Sequence, residues 1–353
     1  YAGLKPPSAE LAGATGTLSE HLLAGESTTP NPHLSWALAL LELPGQAPAT
    51  AAALCNRYLF ELGDALAPIA RLPLRKTLLQ GVHDRLERLA AADPSNSAWQ
   101  RDLSVSLERL GDIKTAQGDL AGARAAYEQG LEIRERLAAA DASNTDWQRD
   151  LSVSLVGVGD VKRAQGDLAG ARAAYEQGLE LRARVAAADP SNSGWQQDLA
   201  NGEERVGFVL QQLGDLAAAE ARYRISMQIR ERLLSEDPGN PGWRSNLAVA
   251  HNRLGDIRQA QGDLGGALES YRACLEIVQG LTAIAPDSVQ WRQYLWESYW
   301  RVADVLELRH DPDALAYWKR AEQVLADLGG AMPPLPESDK RVLQRLRRAL
   351  GSG

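Results

Sequence analysis

A thiol and an imidazole in one stretch of the sequence, Cys274 and His251, are the pair that could make a nucleophile and its base. A thiol becomes a useful nucleophile when a neighbouring group takes its proton. Their registers argue against that use. Cys274 stands in line with Gly130, Gly178 and Ser226, and His251 with Leu107 and Leu155, so both replace residues that pack rather than react. Cys55 shares the register of Leu103, Leu151, Leu199, Leu247 and Leu295, again a core position. No glycine is followed by lysine, so there is no phosphate loop, and neither His-Glu-x-x-His nor Cys-x-x-Cys supplies zinc ligands. Carboxylates abound, but any two can be paired on a helix. The sequence therefore predicts a protein that is not an enzyme and needs neither cofactor nor metal.

Bulk properties point the same way. The net charge of −8 disfavours a nucleic-acid groove, which wants a basic face. No apolar run reaches the roughly 18 residues of a membrane span, and no secretory pattern opens the chain. With two cysteines and no disulfide framework, a reducing cytoplasm is expected. The sequence opens on Tyr1 without Met and closes on Gly351-Ser352-Gly353, which reads as a piece of something larger.

The elements that must position any site come from a repeat. Trp99 returns as Trp147, Trp195, Trp243 and Trp291, a step of 48 residues, and Gly118-Asp119-Leu120 returns on the same step at 166, 214 and 262. Tyr127 returns as Tyr175, Tyr223 and Tyr271. Self-similarity of this length means a solenoid in which each repeat buries its apolar face against its neighbours. On a helix over 97–117, Trp99, Leu103, Leu107, Leu110 and Ile113 form one apolar stripe. Ser97 with Gln100 reads as a capping box, repeated by Thr145 with Gln148 and Ser193 with Gln196. Gly118 ends the first helix and Asp119 caps a second that runs to about Ala140. So short a turn makes the two helices antiparallel neighbours, each roughly 30 Å long.

Leu110-Gly111, Gly118-Asp119-Leu120, Ala123, Tyr127 and Gly130 resemble the tetratricopeptide repeat, with small residues where helices touch and an aromatic on the second helix. The run Tyr127 to Arg136 resembles the kinesin-light-chain type most closely. The common repeat has 34 residues and this one 48, the surplus around 137–150 lengthening both helices. The resemblance implies an all-α, right-handed solenoid of antiparallel helix pairs. It also implies a concave groove, lined by the first helices, for a peptide or partner domain. Long, near-identical repeats of this bacterial-looking kind resemble those attached to signalling and defence proteins with nucleotidase, protease or STAND ATPase modules. The alternative is the regulatory portion of such an enzyme, its catalytic domain lying outside this chain.

Five repeats are expected, at 99–146, 147–194, 195–242, 243–290 and 291–328. The first two share 37 of 48 residues and so duplicated recently, whereas the third diverges, with Phe208 where its siblings carry Asp. Residues 51–98 read as a worn repeat that has lost its turn, and 1–50 as a proline-broken cap or the end of an upstream domain. Residues 329–336 read as a Pro/Gly linker, and 337–353 as a capping helix and tail with a basic side.

Opposite the apolar stripe lie the columns of Arg101, Val105, Glu108, Asp112 and Thr115, which vary between copies while the core columns do not. The groove candidates drawn from them are Arg149, Val156, Asp160 and Arg163, then Asn201, Glu204, Phe208 and Gln211. From the later repeats come Asn252, Asp256 and Gln259, then Glu297, Trp300 and Asp304. These columns hold three arginines (101, 149, 163) and eight acids, which suggests a mildly acidic groove and a partly basic peptide or protein partner. The Lys, Asn and Arg set with which chaperone-binding relatives clamp a peptide carboxylate is missing. Trp300 replaces Glu108, Val156, Glu204 and Asn252 at the groove centre, either as a binding anchor or as part of a seal against the C-terminal cap.

Overall fold

The computed structural model describes residues 72–328, with Cys55 and Arg345 as single further positions. The 1–50 segment, most of the worn repeat before Leu72, the 329–336 linker and the 337–353 cap lie outside the described residues, apart from those two positions. Eleven helices follow one another over the described span, with no strand. They are α1 (Leu72–Ala92), α2 (Ser97–Ala116), α3 (Leu120–Ala140), α4 (Thr145–Ala164), α5 (Leu168–Ala188) and α6 (Ser193–Gln212). Then come α7 (Leu216–Glu236), α8 (Pro241–Gln261), α9 (Leu264–Ile284), α10 (Val289–Leu308) and α11 (Ala314–Leu328). The chain divides into two compact bodies, Tyr1–Asp167 with α1 to α4 and Leu168–Gly353 with α5 to α11. Within each, successive helices pack on one another as a solenoid of helix pairs.

The turns are where sequence chemistry forces the repeat. Gly118, Gly166, Gly214 and Gly262 all sit at φ between 79° and 84°, a left-handed conformation that costs a side-chain-bearing residue strain. Asp119, Asp215 and Asp263 then accept from the backbone N–H three residues on and start α3, α7 and α9. The first helices begin one residue earlier than the capping-box reading placed them. Asn96, Asn144 and Asn192, in extended conformation, accept from the N–H of Trp99, Trp147 and Trp195, which leaves Ser97, Thr145 and Ser193 inside the first turn. Asparagine's carbonyl reaches that N–H as a serine hydroxyl would, so the two patterns look alike in sequence.

The apolar stripe is buried where the helices cross. Leu107, Leu110 and Ile113 lie inside in the first body, and Val206, Val209 and Leu210 in the second. At the entry to each first helix, Trp99, Trp147 and Trp195 are only half-buried. Between the helices of a pair sits the tyrosine. A Cβ placed on Gly111 or Gly157 would come within 2.7 Å of the Tyr127 ring, and one on Gly255 would collide with Tyr271. The Tyr127 hydroxyl donates to Asp112 Oδ1 at 2.6 Å and that of Tyr271 to Asp256 Oδ1 at 2.8 Å. Where Phe208 has replaced that aspartate, Tyr223 turns to Gln211 Oε1 at 3.0 Å. Burial, and then the neighbouring Asp112, push the Tyr127 phenol well above the usual tyrosine range.

Two sets of substitutions test this packing. Leu155→Ala, at a position 7% exposed, should lower stability by about 2 to 5 kcal/mol in denaturant melts, whereas Val156→Ala, on the opposite face, should cost well under about 1 kcal/mol. Equal losses would show that the helical phase is wrong. Gly280, mid-helix in α9, has open space where a Cβ would go, so Gly280→Ala should stabilise by about 0.4 to 1 kcal/mol. Gly255→Ala gains the same propensity but meets Tyr271, and overpacking of about 1 to 3 kcal/mol should make it destabilising. A stabilising Gly255→Ala would remove the tyrosine wedge from the fold.

Candidate functional site

Each body buries arginines of one sequence register beneath its first helices. Arg134 on α3 is 2% exposed. Its Nη2 donates to Glu108 Oε2 at 2.6 Å, its Nη1 to the Asp150 carbonyl at 2.8 Å and Ser154 Oγ at 3.0 Å, and its Nε to Ser104 Oγ at 3.0 Å. Arg230 on α7 repeats the arrangement: Nη2 donates to Glu204 Oε2 at 2.7 Å and Asn201 Oδ1 at 3.0 Å, and Nη1 to the Asn246 carbonyl at 2.9 Å. Arg182 on α5 likewise donates to the Asp198 carbonyl at 2.9 Å. A guanidinium taken out of water must be paired and hydrogen-bonded, and each of these holds a first helix of its own repeat or of the next.

These arginines were not among the residues singled out from sequence. The signal was present in an arginine that returns at 134, 182 and 230 in a register otherwise buried. Its effect on the groove is large, because the acids counted along the first helices carry arginines that the same count left out. Glu204 is shared by Arg230 and Arg253, Asp256 is paired with Arg301, and Glu108 with Arg134. Arg345 joins Asp304 and Glu307.

In the first body, α4 carries Arg149 exposed and Val156, Asp160 and Arg163 half-buried. In the second, α6 carries Asn201, Glu204, Phe208 and Gln211, and the Arg253 guanidinium lies 5.4 Å from the Phe208 ring centre. On α8 and α10, Gln259 accepts from Tyr271 at 3.0 Å and donates to Asp304 Oδ2 at 2.9 Å. Most of these polar groups thus serve the fold and present only part of their surface. Trp300 is half-buried against a cluster of Trp296, Ala303, Trp318 and Ala321, and the Arg301 guanidinium lies 4.9 Å from its ring centre. The α10 and α11 aromatics therefore pack largely on one another.

One part of the face opens inward. Between α8, α9 and α10 lies a cavity of about 260 Å³, with Asn252, Glu297 and Val278 on its walls. Asn252 Oδ1 is shielded from water and has no protein partner. Burial opposes the charge of Arg301, but Asp256 and Tyr271 outweigh it and hold the guanidinium above its ordinary range. Cys274 also borders the cavity, its sulfur 3.6 Å from Ser298 Oγ. Burial pushes that thiol up to about 11, so it stays protonated at neutral pH, and burial lowers His251. Cys55 is likewise raised to about 11, and the described residues contain no cluster of three or more His, Cys, Asp or Glu that could hold a metal. Nor does any described helix have the length and apolarity to cross a membrane.

Comparison with known proteins agrees with this architecture. Residues 104–141 and 205–239 match one model described as a tetratricopeptide repeat, and 248–277 match another of the same description. No curated protein sequence matches the chain. Among solved structures, BtubC (BKLC) from P. vanneervenii is similar at 19% identity and a TM-score of 0.58, over 76% of this chain and 96% of that one. A putative kinesin light chain from Podosopora anserina, with nearly identical TPR-like repeats, is similar at 15% identity and a TM-score of 0.50, over 65% of this chain and 98% of that one. The apo form of RapI is similar at 11% identity and a TM-score of 0.53, over 91% and 85%. Residues 104–141, 205–239 and 248–277 are thus tetratricopeptide repeats in one 48-residue register, with their glycine turns and tyrosine wedges, and the chain shares the fold of the tetratricopeptide-repeat structures it is similar to.

Proposed function

We propose that the chain is a non-catalytic scaffold that holds a peptide or a segment of a partner protein along the face of its first helices, most strongly in the second body. The observation that carries this reading is the cavity between α8, α9 and α10, which lies beside the ion pairs of Glu204 and Asp256 and offers charged, polar and apolar walls together. Its lining is mainly polar and charged, with Ala248, Val249 and Val278 as apolar wall, which suits a polar or charged side chain of a partner. The two cysteines, buried and held as thiols, lend the enzyme alternative nothing. The repeats serve as the docking arm of a larger bacterial signalling or defence protein, in the cytoplasm, with a partly basic partner.

Selection of random peptides on the full chain tests the reading. Peptides so obtained should lose at least about tenfold in affinity, or about 1.4 kcal/mol, when Asn252→Arg fills the cavity. Glu276→Arg, on an exposed position of α9, should leave affinity unchanged. Binding indifferent to Asn252→Arg, in a variant that melts normally, would place the site elsewhere. Association with a partly basic peptide should also weaken as salt screens the charges, and affinity that is flat or rising with salt would assign recognition to apolar contacts instead.

A further inference from the structure

We propose that the cavity between α8, α9 and α10 receives an arginine side chain of the bound partner; this rests on the scaffold reading above and specifies its central contact. In two other repeats the equivalent space is filled from within. Arg134 and Arg230 occupy it, and their bonding partners can be followed by register into the repeat where the cavity lies. Ser104, which accepts from Arg134 Nε, corresponds to Ala248, and Asn201, which accepts from Arg230 Nη2, corresponds to Val249. Glu108 and Glu204 correspond to Asn252, and the carbonyl-bearing Asp150 and Asn246 correspond to Tyr294. The arginine itself corresponds to Val278. All five of these residues line the cavity. The space is therefore the arginine slot of the repeat with its arginine shortened to valine.

What the slot lacks is what an arginine brings. Asn252 stands where Glu108 and Glu204 accept a guanidinium N–H, and its Oδ1 is enclosed without a partner. Glu297, from α10, adds a carboxylate to the same wall where the sibling copies carry Val105, Val153, Asn201 and Val249. Two arginines also border the space: Arg253 pairs with Glu204, and Arg301 pairs with Asp256 and feels the charge of Glu297, although its Nε has no acceptor. Glu297 can serve the guest as well as Arg301, as Glu204 serves both Arg230 and Arg253. An anionic guest would meet Asn252 Oδ1 and Glu297 head on. A guanidinium presents a planar fork of donors that can reach the amide oxygen and the carboxylate together, which the point charge of a lysine does less well. At about 260 Å³ the cavity exceeds the share of several waters, about 30 Å³ each, and has room for the fork and part of its stem.

Two probes on the full chain decide the matter. N-acetyl-arginine methylamide, titrated while backbone amide shifts are followed by NMR, should give saturable shifts confined to α8, α9 and α10 around the cavity. The uncharged isostere N-acetyl-citrulline methylamide should bind at least about tenfold more weakly. Asn252→Glu alone restores the carboxylate but not the arginine, and should tighten the arginine probe several-fold, a gain that misfolding cannot imitate. Val278→Arg combined with Asn252→Glu rebuilds the Arg230–Glu204 arrangement within the chain and should abolish the response. Equal binding of both probes, no saturable shift with either, or no gain from Asn252→Glu would each overturn the proposal. The selected peptides separate it from the scaffold reading: binders that lack arginine and tolerate the double substitution sink the arginine slot and leave the scaffold, whereas probe binding with no peptide binder at all does the reverse.

Discussion

A guanidinium buried under the face of each early repeat is the interaction on which the rest depends. Arg134 and Arg230 reach back to a glutamate on the first helix of their own repeat and forward to a carbonyl on the next. Removing such a charge from water is costly, and it is tolerated because a glutamate and a backbone carbonyl accept from each guanidinium, although Arg230 Nε has no partner. The arrangement also fixes register, since a guanidinium satisfied on three sides leaves little freedom to the helices that satisfy it. Within each body the glycine turn and the tyrosine wedge hold a pair together, and the arginine ties a second helix to the first helix that follows it.

That division of labour determines where the chain can bind something. Along most of the first-helix face the polar side chains already have partners: Gln259 with Tyr271 and Asp304, Glu204 with two arginines, Asp256 with Arg301. At its C-terminal end the aromatics of α10 and α11 close over one another. Between these lies the repeat in which Val278 replaces the arginine and Asn252 the glutamate, and there the face opens. The proposed site is thus a repeat that lacks the arginine and glutamate paired at Arg134–Glu108 and Arg230–Glu204.

Much of this was legible in the sequence, for a physical reason. The period, the left-handed glycines, the Asp caps and the apolar stripe are all local, and a helix writes its face at fixed spacing. The caps of the first helices slipped by one residue because Asn96 and Ser97 offer equivalent acceptors. What stayed hidden was pairing between helices. Glu108 looks like a free groove acid on its own helix, and only the packing of α3 against α2 brings Arg134 onto it. Trp300 shows the same limit, since its place opposite the stripe was readable while the cover supplied by Trp318 was not. The cavity, being an absence, has no motif at all, and the joint loss of arginine and glutamate at Val278 and Asn252 gains meaning only once Arg134 and Arg230 are seen to meet Glu108 and Glu204.

A double-mutant cycle on Arg230 and Glu204 tests the central claim most directly. Arg230→Met, Glu204→Gln and the double variant would be compared by denaturant unfolding of the whole chain. Each single change strands part of a buried network, so Arg230→Met should cost about 3 to 5 kcal/mol. The double variant should lose at least about 1 kcal/mol less than the sum of the two single losses. Single losses under about 0.5 kcal/mol that simply add would contradict the claim, because the buried arginines would then be passengers in a stack held together by its apolar stripe alone.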